Sequence, residues 1–141
     1  MCSKVSKGAV ALAAFVILQA VVPASGIAGG VIRYKVTVKN DVPNHTCTVT
    51  LYSGDPYATP GQQSYTLAPG AEHTFTVNGP QCTRYLDGSC SYLNVPMGVY
   101  RRCISGDKEG TWDCPPACWN SDWAIREHPG TPYGTIHFDK Q

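Results

Sequence analysis

Residues 65–77 read Tyr-Thr-Leu-Ala-Pro-Gly-Ala-Glu-His-Thr-Phe-Thr-Val. Two short alternating runs flank Pro69-Gly70. Tyr65 and Leu67 share one face; Phe75 and Val77 share another, with Thr74 and Thr76 opposite. A period of two is the signature of a half-buried β-strand. Pro69 presets φ for the second position of a turn, and Gly70 accepts the positive φ that a type II turn needs next. The stretch therefore predicts a β-hairpin, with a connection slightly longer than a tight primed turn.

The same alternation extends outward. In Ile32–Lys39, Ile32, Tyr34, Val36 and Val38 face one way, and Arg33, Lys35, Thr37 and Lys39 the other. That cationic face would discourage pairing with another chain if the strand lay at an edge. Asn40, Asp41, Pro43 and Asn44 form a turn cluster. Alternation resumes with Cys47, Val49 and Leu51 inward and Thr48, Thr50 and Tyr52 outward. Ser53–Gln63, with Gly54, Pro56, Pro60 and Gly61, reads as an exposed loop, and Asn78-Gly79-Pro80 as a turn. Beyond Cys82 the pattern loosens. Cys90–Leu93 and Val99–Ile104 read as short strands, Ser105–Gly110 as a polar turn, and Tyr133–Phe138 as a last strand with Ile136 and Phe138 on one face. No stretch after residue 28 has helical periodicity. Short strands at near-regular spacing mean an all-β domain, expected as a small disulfide-linked antiparallel β-sandwich of about seven to eight strands.

The chain has 141 residues, enough for one domain. Residues 1–28 read as a cleaved secretory signal peptide: Lys4 and Lys7, an apolar run from Ala9 to Val22, then small residues from Ala24. Cleavage is expected between Ala24 and Gly30, leaving a single domain over residues 29–141. Of seven cysteines, Cys2 falls in the leader. Cys47, Cys82, Cys90, Cys103, Cys114 and Cys118 remain, an even set that implies disulfides in an oxidising, extracellular compartment. Six cysteines allow 15 pairings, and spacing alone leaves the connectivity open.

Net charge is +1 with no run of like charges, which argues against a nucleic-acid or anionic-membrane surface. Asn44-His45-Thr46 is an N-glycosylation sequon in a predicted turn, so Asn44 is a candidate glycosylation site. Cys114-Pro-Pro-Ala-Cys118 lacks the second paired cluster of a zinc site and has one residue too many for a CxxC redox motif. Neither metal nor cofactor is expected, and both cysteines should form structural bridges, with different partners or with each other. Of the four histidines, His73 should pack beside Phe75. His128 would be the candidate base of an enzyme, with Asp113 or Asp122 as partner, but no spacing demands it and no catalytic residues are assigned. Trp112, Trp119 and Trp123 read first as core packed on disulfides and second as a sugar platform.

With these residues in view, the chain resembles the plant self-incompatibility protein family, the small secreted S-protein homologues. The likeness rests on Val36-Thr-Val-Lys-Asn40, a strand ending in Asn, and more loosely on Val49–Asp55. It rests also on Leu67–Val77, with its Pro-Gly turn and aromatic strand, and on Cys118 followed by Trp123-Ala-Ile-Arg-Glu127 and Gly130. The chain departs from that pattern at Tyr52, where the family usually has a cysteine, and in having six mature cysteines against the commoner four. The resemblance implies a disulfide-held β-sandwich and a non-enzymatic extracellular role, as a ligand for a cell-surface receptor in cell–cell recognition or signalling. Ser53–Gln63, Gln81–Ser89 and Ser105–Gly110 would then be the recognition loops. A defence or toxin-like β-sandwich is the alternative, touching lipid or glycan through Tyr57, Tyr85 and Tyr92. A small secreted hydrolase is the third reading.

Overall fold

The computed structural model describes residues 32–54, 61–106, 113–128 and 136–141. The expected signal peptide, Tyr57 and Trp112 lie outside them. Val31–Gln141 forms one compact unit. Its described residues contain eight strands and no helix: β1 (Arg33–Asn40), β2 (Thr46–Ser53), β3 (Gly61–Leu67), β4 (Glu72–Asn78), β5 (Thr83–Tyr92), β6 (Val95–Cys103), β7 (Ser121–Glu127) and β8 (Ile136–Lys140). They follow the order β3-β2-β5-β6-β8-β7-β1-β4.

This order is two four-stranded layers joined at their margins. On one side β6 meets β8, among the described residues through the pair Val99↔Ile136. On the other, the corner 68–71 carries the chain from β3 to β4, the two outermost strands. The sheet is thus nearly closed, like a flattened barrel. The all-β class and the strand number are as expected. Five of the seven pairings are antiparallel, while β1–β7 and β6–β8 are parallel. Parallel neighbours need long crossovers, and those chain segments separate β1 from β7 and β6 from β8 in sequence.

Alternation places the core as the sequence implies. Val36, Val38, Cys47, Val49, Leu51, Phe75 and Val77 are buried, with Trp123, Ile125, Ile136 and Phe138 from β7 and β8. On the outer face, threonine and serine side chains pair across strands: Thr37–Thr74, Thr48–Thr66 and Thr50–Ser64. The cationic strand β1 is not an edge; β4 and β7 flank it.

The Pro69-Gly70 hairpin is a correction. The turn chemistry is as read: Ala71 N–H donates to Ala68 O at 3.0 Å, and Gly70 has φ +77°. Yet β3 and β4 are not partners. β3 pairs with β2, and β4 with β1. Period two reveals a strand's faces but not its neighbour. The deciding residue is Asn40, fully buried at the end of β1. Its Nδ2 donates to Leu67 O and His45 O, its Oδ1 accepts from Val42 N–H, and its backbone exchanges bonds with Gly70 and Ala71. These bonds hold the corner against β1, so the chain crosses between layers instead of folding back.

The loop assignments also change. Gln81–Ser89 is mostly β5, whose Thr83 and Leu86 are buried. A register shift between Leu86 and Gly88 interrupts its alternation, which is why the pattern looked loose. Gly88 leaves no room for a side chain; a Cβ there would lie 3.0 Å from Thr48 O and 3.2 Å from the Phe138 ring. Ser53 closes β2 and Gly61–Gln63 open β3, so the expected loop Ser53–Gln63 is shorter, and residues 55–60 lie outside the described residues. Ser105 and Gly106 form a turn as expected; residues 107–110 lie outside.

Candidate functional site

The six cysteines pair as Cys47–Cys90, Cys82–Cys118 and Cys103–Cys114. Cys114 and Cys118 therefore bridge to different partners. Cys47 and Cys90 are directly opposed on β2 and β5 and are buried. Beyond this bridge the β5–β6 hairpin continues outward to a tip.

The tip is a two-residue turn, Leu93-Asn94, closed by the pair Tyr92↔Val95. Both turn residues have positive φ, 47° and 65°. That is the type I′ geometry, matched to strand twist, which ordinarily selects Asn-Gly or Gly-Gly. Asn94 suits it; Leu93 does not, because an L-residue in the left-handed region costs about 1–2 kcal/mol. Leu93 is also 79% exposed, Val95 60% and Tyr92 45%. A strained, solvated leucine among exposed apolar neighbours favours neither folding nor solubility. The strand expected through Leu93 ends one residue earlier, at Tyr92, because Asn94, which tolerates positive φ, makes the turn.

Asn44 lies at the same end. It is exposed, with φ 59°, in the turn before β2. Its neighbour His45 stacks on Tyr92 (ring centroids 5.3 Å) and contacts Pro43 O at 2.7 Å. The sequon turn and the apolar tip thus form one surface, rooted in the Cys47–Cys90 bridge.

Other candidates fall elsewhere. Tyr85 is half-buried, not an exposed contact residue. It stacks on Tyr52 (4.4 Å) beneath Arg101 (4.3 Å), which pairs with Asp87 at 2.8 Å. Burial raises the Tyr85 pKa above its ordinary value, opposed by the Arg101 charge. Trp123 is core, its Nε1–H donating to Ser121 Oγ at 2.9 Å, while Trp119 is 44% exposed. His73 packs as expected, against Tyr65 and the edge of Phe75. His128 meets neither Asp113 nor Asp122; its Nε2 lies 3.0 Å from Asp139 Oδ1, and His137 packs against its ring. A cleft of about 390 Å³ beside Cys82–Cys118 includes Arg84, but that guanidinium is spent on Gly54 O and Cys114 O. Among the described residues no cluster of three or more His, Cys, Asp or Glu is placed to hold a metal.

No family model matches the chain, and no curated protein matches it. Among solved structures it is similar to the T6SS lipoprotein TssJ1 from Pseudomonas aeruginosa, at 14% identity over 79% of this chain and 97% of that one, TM-score 0.41. A structure described as a trapped toxin gives 12% identity over 77% of this chain and 23% of that one, TM-score 0.41. Listeriolysin O gives 11% over 79% and 22%, TM-score 0.36. At these TM-scores neither fold nor role carries over from them.

Proposed function

We propose that this chain is a secreted, non-enzymatic binding protein, a ligand for a cell-surface receptor, that touches its partner through the β5–β6 tip. The observation that carries the reading is Leu93: apolar, exposed and held at φ 47° directly beyond a buried disulfide. Backbone strain persists where the surroundings over-determine it, and such positions cluster at contact sites. Three disulfides are compatible with an extracellular protein. The resemblance to plant self-incompatibility proteins points the same way, and a glycan on Asn44 would border the contact.

The test places a photo-crosslinker at position 93 and applies the oxidised protein to intact cells of its source. Cross-linking to a membrane-protein ectodomain, lost when Tyr92→Ala is added, supports the reading. Catalytic turnover by the purified protein, abolished by His128→Ala, overturns it. The apolar character of the tip favours one second reading, insertion into a lipid surface. Flotation with phosphatidylcholine vesicles, abolished by Leu93→Asp, would replace the receptor with lipid.

A further inference from the structure

The margin between β3 and β4 is where the barrel fails to close. β4 pairs with β1 through Tyr34↔Val77 and Val36↔Phe75, and Gly79 N–H donates to Ile32 O in the same phase. In an antiparallel ladder alternate residues turn both N–H and C=O away from the partner. Glu72, Thr74, Thr76 and Asn78 therefore present their backbone groups to the gap. One is already engaged: Gln63 Nε2 reaches across from β3 and donates to Thr76 O at 2.9 Å. A side-chain amide stands there in place of a strand's backbone N–H.

The gap is shaped accordingly. At the corner it is shut by Tyr65 stacked on His73, centroids 3.7 Å apart. Away from the corner it widens into a groove of about 430 Å³, lined by Ser53, Gly61, Gln62, Val77 and Asn78. Inserting one strand needs edges about 9.5 Å apart, twice the inter-strand spacing. A glutamine side chain plus a hydrogen bond spans a distance of that order. Tyr65 shares the inward face of β3 with buried Leu67, yet it is 46% exposed, covered on one side by the His73 ring. Nor is the edge guarded. β3 (Gly61–Leu67) has no charge and no proline, the two devices that usually block pairing, and Glu72 is the only Asp, Glu, Lys or Arg on β4.

We propose that this margin binds an extended peptide segment of a partner protein, which adds to β4 as a further strand and displaces the Gln63 amide from Thr76. The uncharged walls select an uncharged, β-prone segment; main-chain bonds to Thr74, Thr76 and Asn78 give affinity, and alternate side chains over Val77 give selectivity. The site lies in different strands from the β5–β6 tip and does not depend on it.

The experiment selects from displayed peptides of about nine residues, long enough to run the length of β4, built from Val, Ile, Thr, Tyr, Ser and Gln. An enriched peptide should slow amide exchange at Thr74, Thr76 and Asn78. Gln63→Ala removes the competing amide and should tighten binding about threefold or more. Thr76→Pro deletes an edge N–H that β1 does not use and should weaken binding at least about tenfold. Gln63→Lys, which keeps a donor but adds a guarding charge, should abolish it and carries the test if Thr76→Pro fails to melt cooperatively. Leu93→Asp should leave binding unchanged, separating this site from the tip. Three results overturn the proposal: no peptide enriched above the Gln63→Lys background; protection at Leu93–Val95 instead; or a dimer by sedimentation that Gln63→Lys dissolves, which assigns the edge to a second copy.

Discussion

Two turns in this chain invert each other. Ala68-Pro69-Gly70-Ala71 obeys turn chemistry, with glycine where φ is positive, and joins two strands that do not pair. Tyr92-Leu93-Asn94-Val95 breaks it, with leucine where φ is positive, and joins two strands that pair closely. Local rules describe the first turn well and the second poorly. What decides each topology lies elsewhere: buried Asn40 under the corner, the Cys47–Cys90 bridge under the tip.

That contrast can be broken at either anchor. Removing the bridge with Cys47→Ala/Cys90→Ala should have the largest effect. It releases 43 residues of sequence separation, worth about 4 kcal/mol in chain entropy. Urea unfolding measures it, and amide exchange should rise first at Leu93–Val95. Asn40→Ala should cost about 3 kcal/mol, since it strands the Leu67 and His45 carbonyls and the Val42 N–H. A loss under about 1 kcal/mol would mean that the corner holds without it.

The turns themselves sharpen the comparison. Gly70→Ala meets open space but keeps φ near +77°, so it should cost about 1 kcal/mol from strain alone. Leu93→Gly should have the opposite sign. It relieves strain, loses part of that gain to unfolded-chain entropy, and stabilises by about 0.5 kcal/mol. It should also abolish partner capture, and a variant both more stable and still fully active would remove the functional reading of the strain.

The smallest effect is electrostatic. Burial raises the folded pKa of Tyr85 above the ordinary tyrosine value, with Arg101 opposing. The folded state then holds its proton more tightly, so this stability is full below pH 10 and falls as pH rises through the folded pKa. Arg101→Gln should move the Tyr85 transition further up in an ultraviolet titration.

The contrast also explains what the sequence could convey. β1 and β2 were legible because Val36, Val38, Cys47, Val49 and Leu51 keep strict period two against a single core. β5 was not, because the shift at Asp87 and the missing side chain of Gly88 break its rhythm, and a run with broken rhythm reads as loop. The tip was misread because an exposed Leu93 carries the vocabulary of a buried strand. Six paired cysteines were legible from parity and the apparent leader, but their partners depend on strand order. Strand order in turn depends on long-range events such as the docking of Asn40 and the parallel addition of β7 beside β1. No window of ten residues contains that information.

The bridge Cys103–Cys114 spans only eleven positions. An endoprotease that cuts one peptide bond anywhere between those two residues would add one water to the chain, as a new carboxylate and a new amine, and release nothing, since the severed ends stay covalently joined. Such a nick would leave the Cys103 end of β6 tied to Cys114. It would show only as two bands on a reducing gel.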